Sequence, residues 1–279
     1  MKLLRYGPSG QEKPGCLDAD GRVRDLSDHI DDLAGEALTP ETISRLKSLD
    51  IDDLPLVEGT PQQDLRLGPC VGRTGKFICI GLNYADHAAE IASKAPEEPM
   101  VFLKGANTLV GHRAFTPRPA DATNMHYECE LAIVVGKPAR NVVKADAYNY
   151  IAGYTVANDY AVRNYLEGFY RPNFRIKSRD NCTPIGPWLV DAADIADPMN
   201  LRLTTRVNGE TTQEGSTKDM IFGVPFLIEY FSAFMTLQPG DVILTGTPKG
   251  TVNVMPGDEV VTEIEGVGAL HNTIIERKA

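Results

Sequence analysis

The stretch His126-Tyr-Glu-Cys-Glu-Leu-Ala-Ile-Val-Val-Gly136 decides how this chain is read. Leu131 to Val135 is an apolar, β-branched run closed by Gly136, which predicts a buried strand. Glu128 and Glu130 stand just ahead of it, two residues apart. On a strand, positions i and i+2 share a face, so two carboxylates project side by side from its start. Close like charges repel, and a buried carboxylate is costly, unless a cation sits between them. A hard divalent ion with oxygen ligands, Mg²⁺ or a relative, is the simplest account. A solvated strand end carrying two surface acids is the other, and this stretch alone leaves both open.

The rest of the composition narrows the field. At 279 residues the chain can bury a sizeable core, as one large domain or a small one plus a large one. Its apolar and charged fractions, 42% and 24%, are those of a globular protein. The net charge of −10, with no Lys/Arg-rich run, argues against a nucleic-acid track or an anionic membrane surface as partner. No apolar run approaches the ~20 residues of a membrane span. Met1-Lys-Leu-Leu-Arg-Tyr6 turns polar too quickly for a signal peptide. Cys16, Cys70, Cys79, Cys129 and Cys182 are scattered and odd in number, which suits reduced thiols in a cytoplasmic protein. None forms a Cys-x-x-Cys pair, so structural zinc is not expected.

Taken in order, residues 1–70 read as a small α+β accessory segment. Met1–Tyr6 and Cys16–Leu17 are expected strands, and Asp20-Gly21 a hairpin turn. Thr39-Pro40-Glu41 opens a helix to about Lys47, with an N-cap and a first-turn proline. Pro55, Pro61 and the polar residues around them mark a linker toward Pro69. Residues 71–279 form the larger unit. Lys76–Gly81 predicts a strand running into a helical stretch, Leu82–Glu90. His87 and Glu90, three apart, share a helix face. They read either as a general acid–base pair, the carboxylate fixing the imidazole tautomer, or as an ordinary surface pair. Met100–Lys104 predicts another strand, and Pro117 and Pro119 a loop. Gly153–Asn158 is a further strand, with Asp159 at its C-terminal end as a third metal ligand. Ala161–Phe169 has helical spacing. Arg175–Trp188 is rich in cations and turn residues, the cations matching three carboxylates or an anionic substrate. Asn208-Gly209 is a type I′ turn after the strand Leu201–Val207. Met220–Met235 contains a helix, and Val242–Leu244 and Glu259–Ile264 are strands. Many short strands with turn signals predict a mixed, β-rich core rather than a βαβ wheel. Gly246-Thr-Pro-Lys-Gly250 lacks phosphate-loop spacing, and neither a Gly-x-Gly-x-x-Gly nor a Gly-x-Ser-x-Gly motif is present.

These pieces occur together in one family. From about residue 74 onward the chain resembles the fumarylacetoacetate hydrolase superfamily. The resemblance is carried by GLNYADHAAE (81–90), YECELAIVVG (127–136), AGYTVANDYAVR (152–163), KSRDNCTPIGPW (177–188), VNGE (207–210), MIFGVPFLI (220–228), TLQPGDVILTGTPKG (236–250) and GDEV (257–260). It implies a β-sandwich roll around one metal site, often in a homodimer. By resemblance, the metal triad falls on Glu128, Glu130 and Asp159, and the catalytic pair on His87 and Glu90. Lys177 takes the substrate-side lysine position, and Thr247 the substrate-binding threonine of a Gly-Thr-Pro turn. Mg²⁺ is the expected ion, with Mn²⁺ or Ca²⁺ as alternatives.

Within the superfamily, residues 158–180 and 224–260 are most like the isomerase and decarboxylase branch of homoprotocatechuate catabolism, while Ile185-Gly186-Pro187-Trp188 follows the wider hydrolase pattern and residues 1–70 look more like 2,4-diketo-3-deoxy sugar-acid hydrolases, so that C–C hydrolysis of acylpyruvates or diketo acids is the alternative activity. The implied substrate is a 2-oxo or 2-hydroxy-dienoic acid chelated through its carboxylate and C2 oxygen. An enolate stabilised by the metal then serves isomerisation, decarboxylation and C–C hydrolysis alike. A non-catalytic metal-binding protein is the rival from another class, disfavoured by the His/Glu pair and lysine beside the triad.

Overall fold

Every residue of the strand Cys129–Val135 is buried, because its two faces feed two cores. Leu131, Ile133 and Val135 pack with Tyr154 and Val156 of the neighbouring strand and with Leu203, Ile264 and Leu270 of a second sheet. Ala132 and Val134 point the other way, toward Leu189, Leu244 and the N-terminal Leu38, Ile43 and Leu46. This computed structural model describes residues 1–61, 63–90, 93–166 and 173–277.

The larger sheet runs Val23–Asp25, Lys13–Leu17, Lys2–Tyr6, Thr183–Asp191, Ile151–Asn158, Cys129–Val135, Val242–Leu244, Phe77–Gly81, Met100–Leu103, with Leu109–Val110 added beside Thr183–Asp191. Most neighbours are antiparallel, but Val242–Leu244 lies parallel to Phe77–Gly81. The second sheet is Glu210–Ser216, Arg202–Val207, Glu259–Ile264, Gly268–Glu276, Phe115–Arg118. A short ribbon pairs Met125–His126 with Ala161–Val162. The fold is the mixed, β-rich one expected, and the longest helix among the described residues, Val224–Phe234, buries Val224, Leu227, Ile228 and Phe231 against the first core. All five cysteines are buried and unpaired.

The N-terminal segment joins the main sheet directly, through Lys2–Tyr6 against Thr183–Asp191. Its helix Pro40–Lys47 starts where the cap signal placed it. Thr39 Oγ1 accepts the Thr42 N–H, Pro40 takes the first turn, and Ile43 and Leu46 are buried. Lys47 reaches across to Asp191 (2.7 Å) and Asp194 (2.8 Å).

Three local expectations change. Pro117 lies inside a strand, Phe115–Arg118, rather than a loop. That strand is at the sheet edge, where a missing N–H costs no ladder bond. Ala161–Val162 is a strand, and Arg163–Leu166 a single 3₁₀ turn, where helical spacing was read. The pull there is tertiary: Tyr160, Val162 and Tyr165 fill a cluster with Met125 and Tyr127. Residues 167–169 of that reading lie outside the described residues. The turn-rich 175–188 segment instead supplies the end of a helix, Asn173–Lys177, and most of a nine-residue central strand, Thr183–Asp191. Pro187 is tolerated because the pairing with Ile151–Asn158 shifts register there, from Tyr154↔Val190 to Val156↔Gly186.

Candidate active site and metal centre

Strand register builds the carboxylate cluster. Ile151–Asn158 pairs antiparallel with Cys129–Val135, setting Ala157 opposite Glu130 and Asn158 opposite Cys129. One step further, the Asp159 N–H donates to the Glu128 carbonyl (2.9 Å). Asn158 Oδ1 accepts the Glu128 N–H (3.0 Å), fixing the strand end where it opens. Oxygen atoms of Glu128, Glu130 and Asp159 all lie within 4.8 Å of one another, and all three residues are buried. The solvated strand end is thereby ruled out, since Glu130 is 1% and Asp159 0% exposed.

The three carboxylates are not equally compensated. Lys177 Nζ donates to Glu128 Oε2 (2.5 Å) and Asp159 Oδ2 (2.6 Å). Arg163 donates to Glu128 Oε1 (2.5 Å), and Lys104 to Asp159 Oδ1. Burial pushes the Glu128 carboxyl up, but Lys177, Arg163 and His87 outweigh it and hold it down at about 2. Burial pushes the lysines down, yet the facing carboxylates raise both Lys104 and Lys177. Among the described residues Glu130 has no cation at hydrogen-bond distance; its Oε2 accepts only the Gly246 N–H (2.6 Å). Burial first, then Asp159 and Glu128, push its carboxyl well above the ordinary range.

Three oxygen donors within one ion's reach, one of them short of positive charge, fit a hard divalent cation. Such an ion removes the repulsion that Glu130 otherwise suffers.

His87 comes from the helix Ala85–Glu90 and is 4% exposed. Its Nδ1 lies 3.2 Å from Glu90 Oε2. In the tautomer that satisfies this contact Nδ1 donates to the carboxylate, which leaves Nε2 as the ring nitrogen not engaged by Glu90. Glu90 is held in turn, its Oε1 accepting the Gly250 N–H (3.0 Å).

The turn Gly246–Gly250 therefore touches both halves of the site, Gly246 on Glu130 and Gly250 on Glu90. Gly246 has φ +89°, and a Cβ there would lie 2.8 Å from the Asn83 Cβ. The Asn83 amide in turn donates to the Thr245 carbonyl (2.8 Å) and the Phe222 carbonyl (3.0 Å). Thr247, next along the turn, is buried.

The structure gathers Glu128, Glu130, Asp159 and Lys177 at one point and brings His87 and Glu90 beside them. It adds Lys104, Arg163 and two backbone amides that sequence reasoning did not single out. Lys104 had a weak signal, a lysine closing an apolar strand. Arg163 stood in a segment read as helical, and nothing in that reading tied it to Glu128.

The family model described as fumarylacetoacetate hydrolase C-terminal matches residues 76–275. A 4-hydroxyphenylacetate degradation bifunctional isomerase/decarboxylase from Salmonella dublin is 60% identical over 202 residues, 72% of this chain and 47% of that protein. The chain thus spans about half the length of that relative. Among the solved structures that align over the whole of both chains are two whose names bear on the chemistry. One is 2-hydroxyhepta-2,4-diene-1,7-dioate isomerase from Mycobacterium marinum, 32% identical with a TM-score of 0.77. The other is maleylpyruvate hydrolase from Sphingobium sp. SYK-6 in complex with manganese(II) and pyruvate, 26% identical with a TM-score of 0.84. Among the described residues no helix is long and apolar enough to cross a membrane.

Proposed function

Because the chain belongs to the fumarylacetoacetate hydrolase family, we propose that it is a divalent-metal-dependent isomerase or decarboxylase of 2-hydroxy-dienoic or 2-oxo diacids from homoprotocatechuate catabolism. The observation that carries this reading is the buried triad Glu128, Glu130 and Asp159 with the His87–Glu90 pair tied to it through one turn. The similarity to isomerase/decarboxylases supports the substrate class.

In this proposal Glu128, Glu130 and Asp159 hold the ion, Mg²⁺ first and Mn²⁺ or Ca²⁺ as alternatives. When bound, the ion supplies Lewis acidity toward the C2 oxygen and carboxylate of a 2-oxo acid. His87 Nε2 takes the proton from C3 of the substrate and returns it elsewhere on the conjugated chain. Glu90 keeps the proton on Nδ1 beforehand and stabilises the imidazolium afterwards. The Gly250 amide keeps Glu90 from swinging away. Lys177 neutralises negative charge on the substrate carboxylate or the enolate. The Thr247 hydroxyl binds the substrate. Burial of the cluster excludes water, which strengthens each of these electrostatic contacts.

A second reading, C–C hydrolysis of acylpyruvates or 2,4-diketo-3-deoxy sugar acids, is favoured by the likeness to maleylpyruvate hydrolase. Both readings share the enolate and differ in whether the His87–Glu90 pair moves a carbon-bound proton or activates water. The working form proposed is a cytoplasmic homodimer, with residues 1–70 as its accessory segment. The test is a panel of dienoic diacids, acylpyruvates and diketo acids assayed with Mg²⁺, after chelation and after restoration. Isomerised or decarboxylated product is expected. Cleavage products alone would establish the hydrolase, and full turnover in exhaustively chelated protein would sink the metal-dependent mechanism.

A further inference from the structure

Thr247 is gripped by a side chain from another strand. Gln213, on Glu210–Ser216, is 1% exposed and belongs to none of the site groups above. Its Nε2 lies 2.7 Å from the Pro248 carbonyl and 2.8 Å from Thr247 Oγ1. Its Oε1 lies 2.9 Å from Thr205 Oγ1. The Pro248 carbonyl can only accept, so the atom facing it is the NH₂ group, and the orientation of the amide is settled by chemistry. The same NH₂ then donates to Thr247 Oγ1. A hydroxyl that accepts along one direction must aim its own proton along another. Among the described residues nothing accepts that proton. Thr205 completes the relay, its hydroxyl donating to Oε1 and holding the amide against rotation.

We infer that Gln213 is a positioning residue. It fixes the Thr247 hydroxyl as a hydrogen-bond donor toward substrate, in readiness for a carboxylate or carbonyl oxygen. The inference rests on the reading of Thr247 as a substrate-binding residue. It also gives the relay Thr205→Gln213→Thr247 a direction, and with it a preference for an anionic or carbonyl acceptor over a donor at that position of the substrate.

The test uses the full chain with Mg²⁺ and a 2-oxo acid substrate, and follows KM and kcat separately, with calorimetric binding of pyruvate as a readout independent of turnover. Gln213→Met keeps the length of the side chain and removes the donor. Gln213→Glu keeps the shape and offers Thr247 an acceptor, turning its proton inward. Each is expected to raise KM and weaken pyruvate by about tenfold, the worth of one hydrogen bond to a charged group, with kcat little changed. Thr247→Val is expected to lose at least as much, and adding Gln213→Met to it to cost nothing further. Mg²⁺ affinity and the melting temperature, measured on every variant, identify one that has lost its fold. Gln213→Glu would strain the fold by charge and Gln213→Met by a lost donor, so either one that keeps both properties decides the matter. A KM at the wild-type value in a folded Gln213 variant, beside a raised KM in Thr247→Val, overturns the inference alone. A wild-type KM in Thr247→Val overturns the underlying reading of Thr247.

Discussion

The strand end at 128–130 and the turn at 246–250 meet at one carboxylate, Glu130, yet they reach it by different physics. At the strand end, position follows from a local rule. Alternation sends Glu128 and Glu130 to one side, and ladder register delivers Asp159 beside them. In the turn, position follows from contacts far apart in sequence: Asn83 beneath Gly246, Gln213 on Thr247, Glu90 on Gly250. The strand end carries concentrated charge and the turn carries directed dipoles. Each needs the other, because the carboxylate least compensated by side chains is the one the turn amide holds.

The hardest blow to the strand end is Glu130→Ala. Divalent-metal affinity by calorimetry is expected to fall by more than about 100-fold, beyond the effect of changing an outer-shell partner. In metal-free protein the isosteric Glu130→Gln is expected to raise the melting temperature, since it removes a buried repulsion. Unchanged Mg²⁺ binding in Glu130→Ala would show that the cluster is not the metal site.

His87→Ala separates chemistry from metal binding. A loss of about 10²–10⁴-fold in kcat is expected, with metal affinity nearly unchanged. Glu90→Ala is expected to lose less, and the double variant little more than His87→Ala, as groups acting as one unit are non-additive. Exchange of the C3 proton of a bound 2-oxo acid, followed by NMR, is the direct readout. Wild-type exchange in His87→Ala would move the base elsewhere.

Gly246→Ala strikes the turn while leaving every charged side chain in place. The added Cβ meets the Asn83 Cβ at 2.8 Å in a left-handed backbone conformation. A stability loss of about 1–3 kcal/mol is expected, with weaker metal binding through the displaced amide on Glu130. Metal affinity equal to wild type would show that the strand end stands without the turn.

The mildest effect is expected from a region belonging to neither. Burial, then His271 and Arg113, push the His112 imidazole down to about 3 from its ordinary 6.5. Between those values the unfolded chain binds the extra proton and the folded one does not. Stability therefore rises with pH across that window, and the share owed to His112 is lost as pH falls through it. Urea midpoints between pH 4.5 and 6.5 should fall less steeply in His112→Gln, by the same amount with and without Mg²⁺. A slope that changes with metal would tie His112 to the site.

Legibility followed the same division. The Pro40–Lys47 helix was readable because its cap, proline and apolar spacing are all local. The strands Val242–Leu244 and Glu259–Ile264 were readable from the turn residues ahead of them. Thr183–Asp191 was not, because Pro184, Gly186 and Pro187 advertise a turn and only a register shift in its neighbour makes room for them. The ribbon at Ala161–Val162 was misread as helical because its partner, Met125–His126, is remote in sequence.

By itself the sequence determined the β-rich class, the shared face of Glu128 and Glu130, the Asp159 position at a strand end and the one-turn spacing of His87 and Glu90. All of these are consequences of period and local capping, which a chain carries wherever it goes. Only the tertiary structure decided which cation faces which carboxylate, that Glu130 is left without one among the described residues, and that a turn set aside for lacking phosphate-loop spacing joins the two halves of the site. Those are properties of charges and amides brought together from distant parts of the chain. Their energies depend on a few ångströms and on exclusion of water, and no local pattern encodes either.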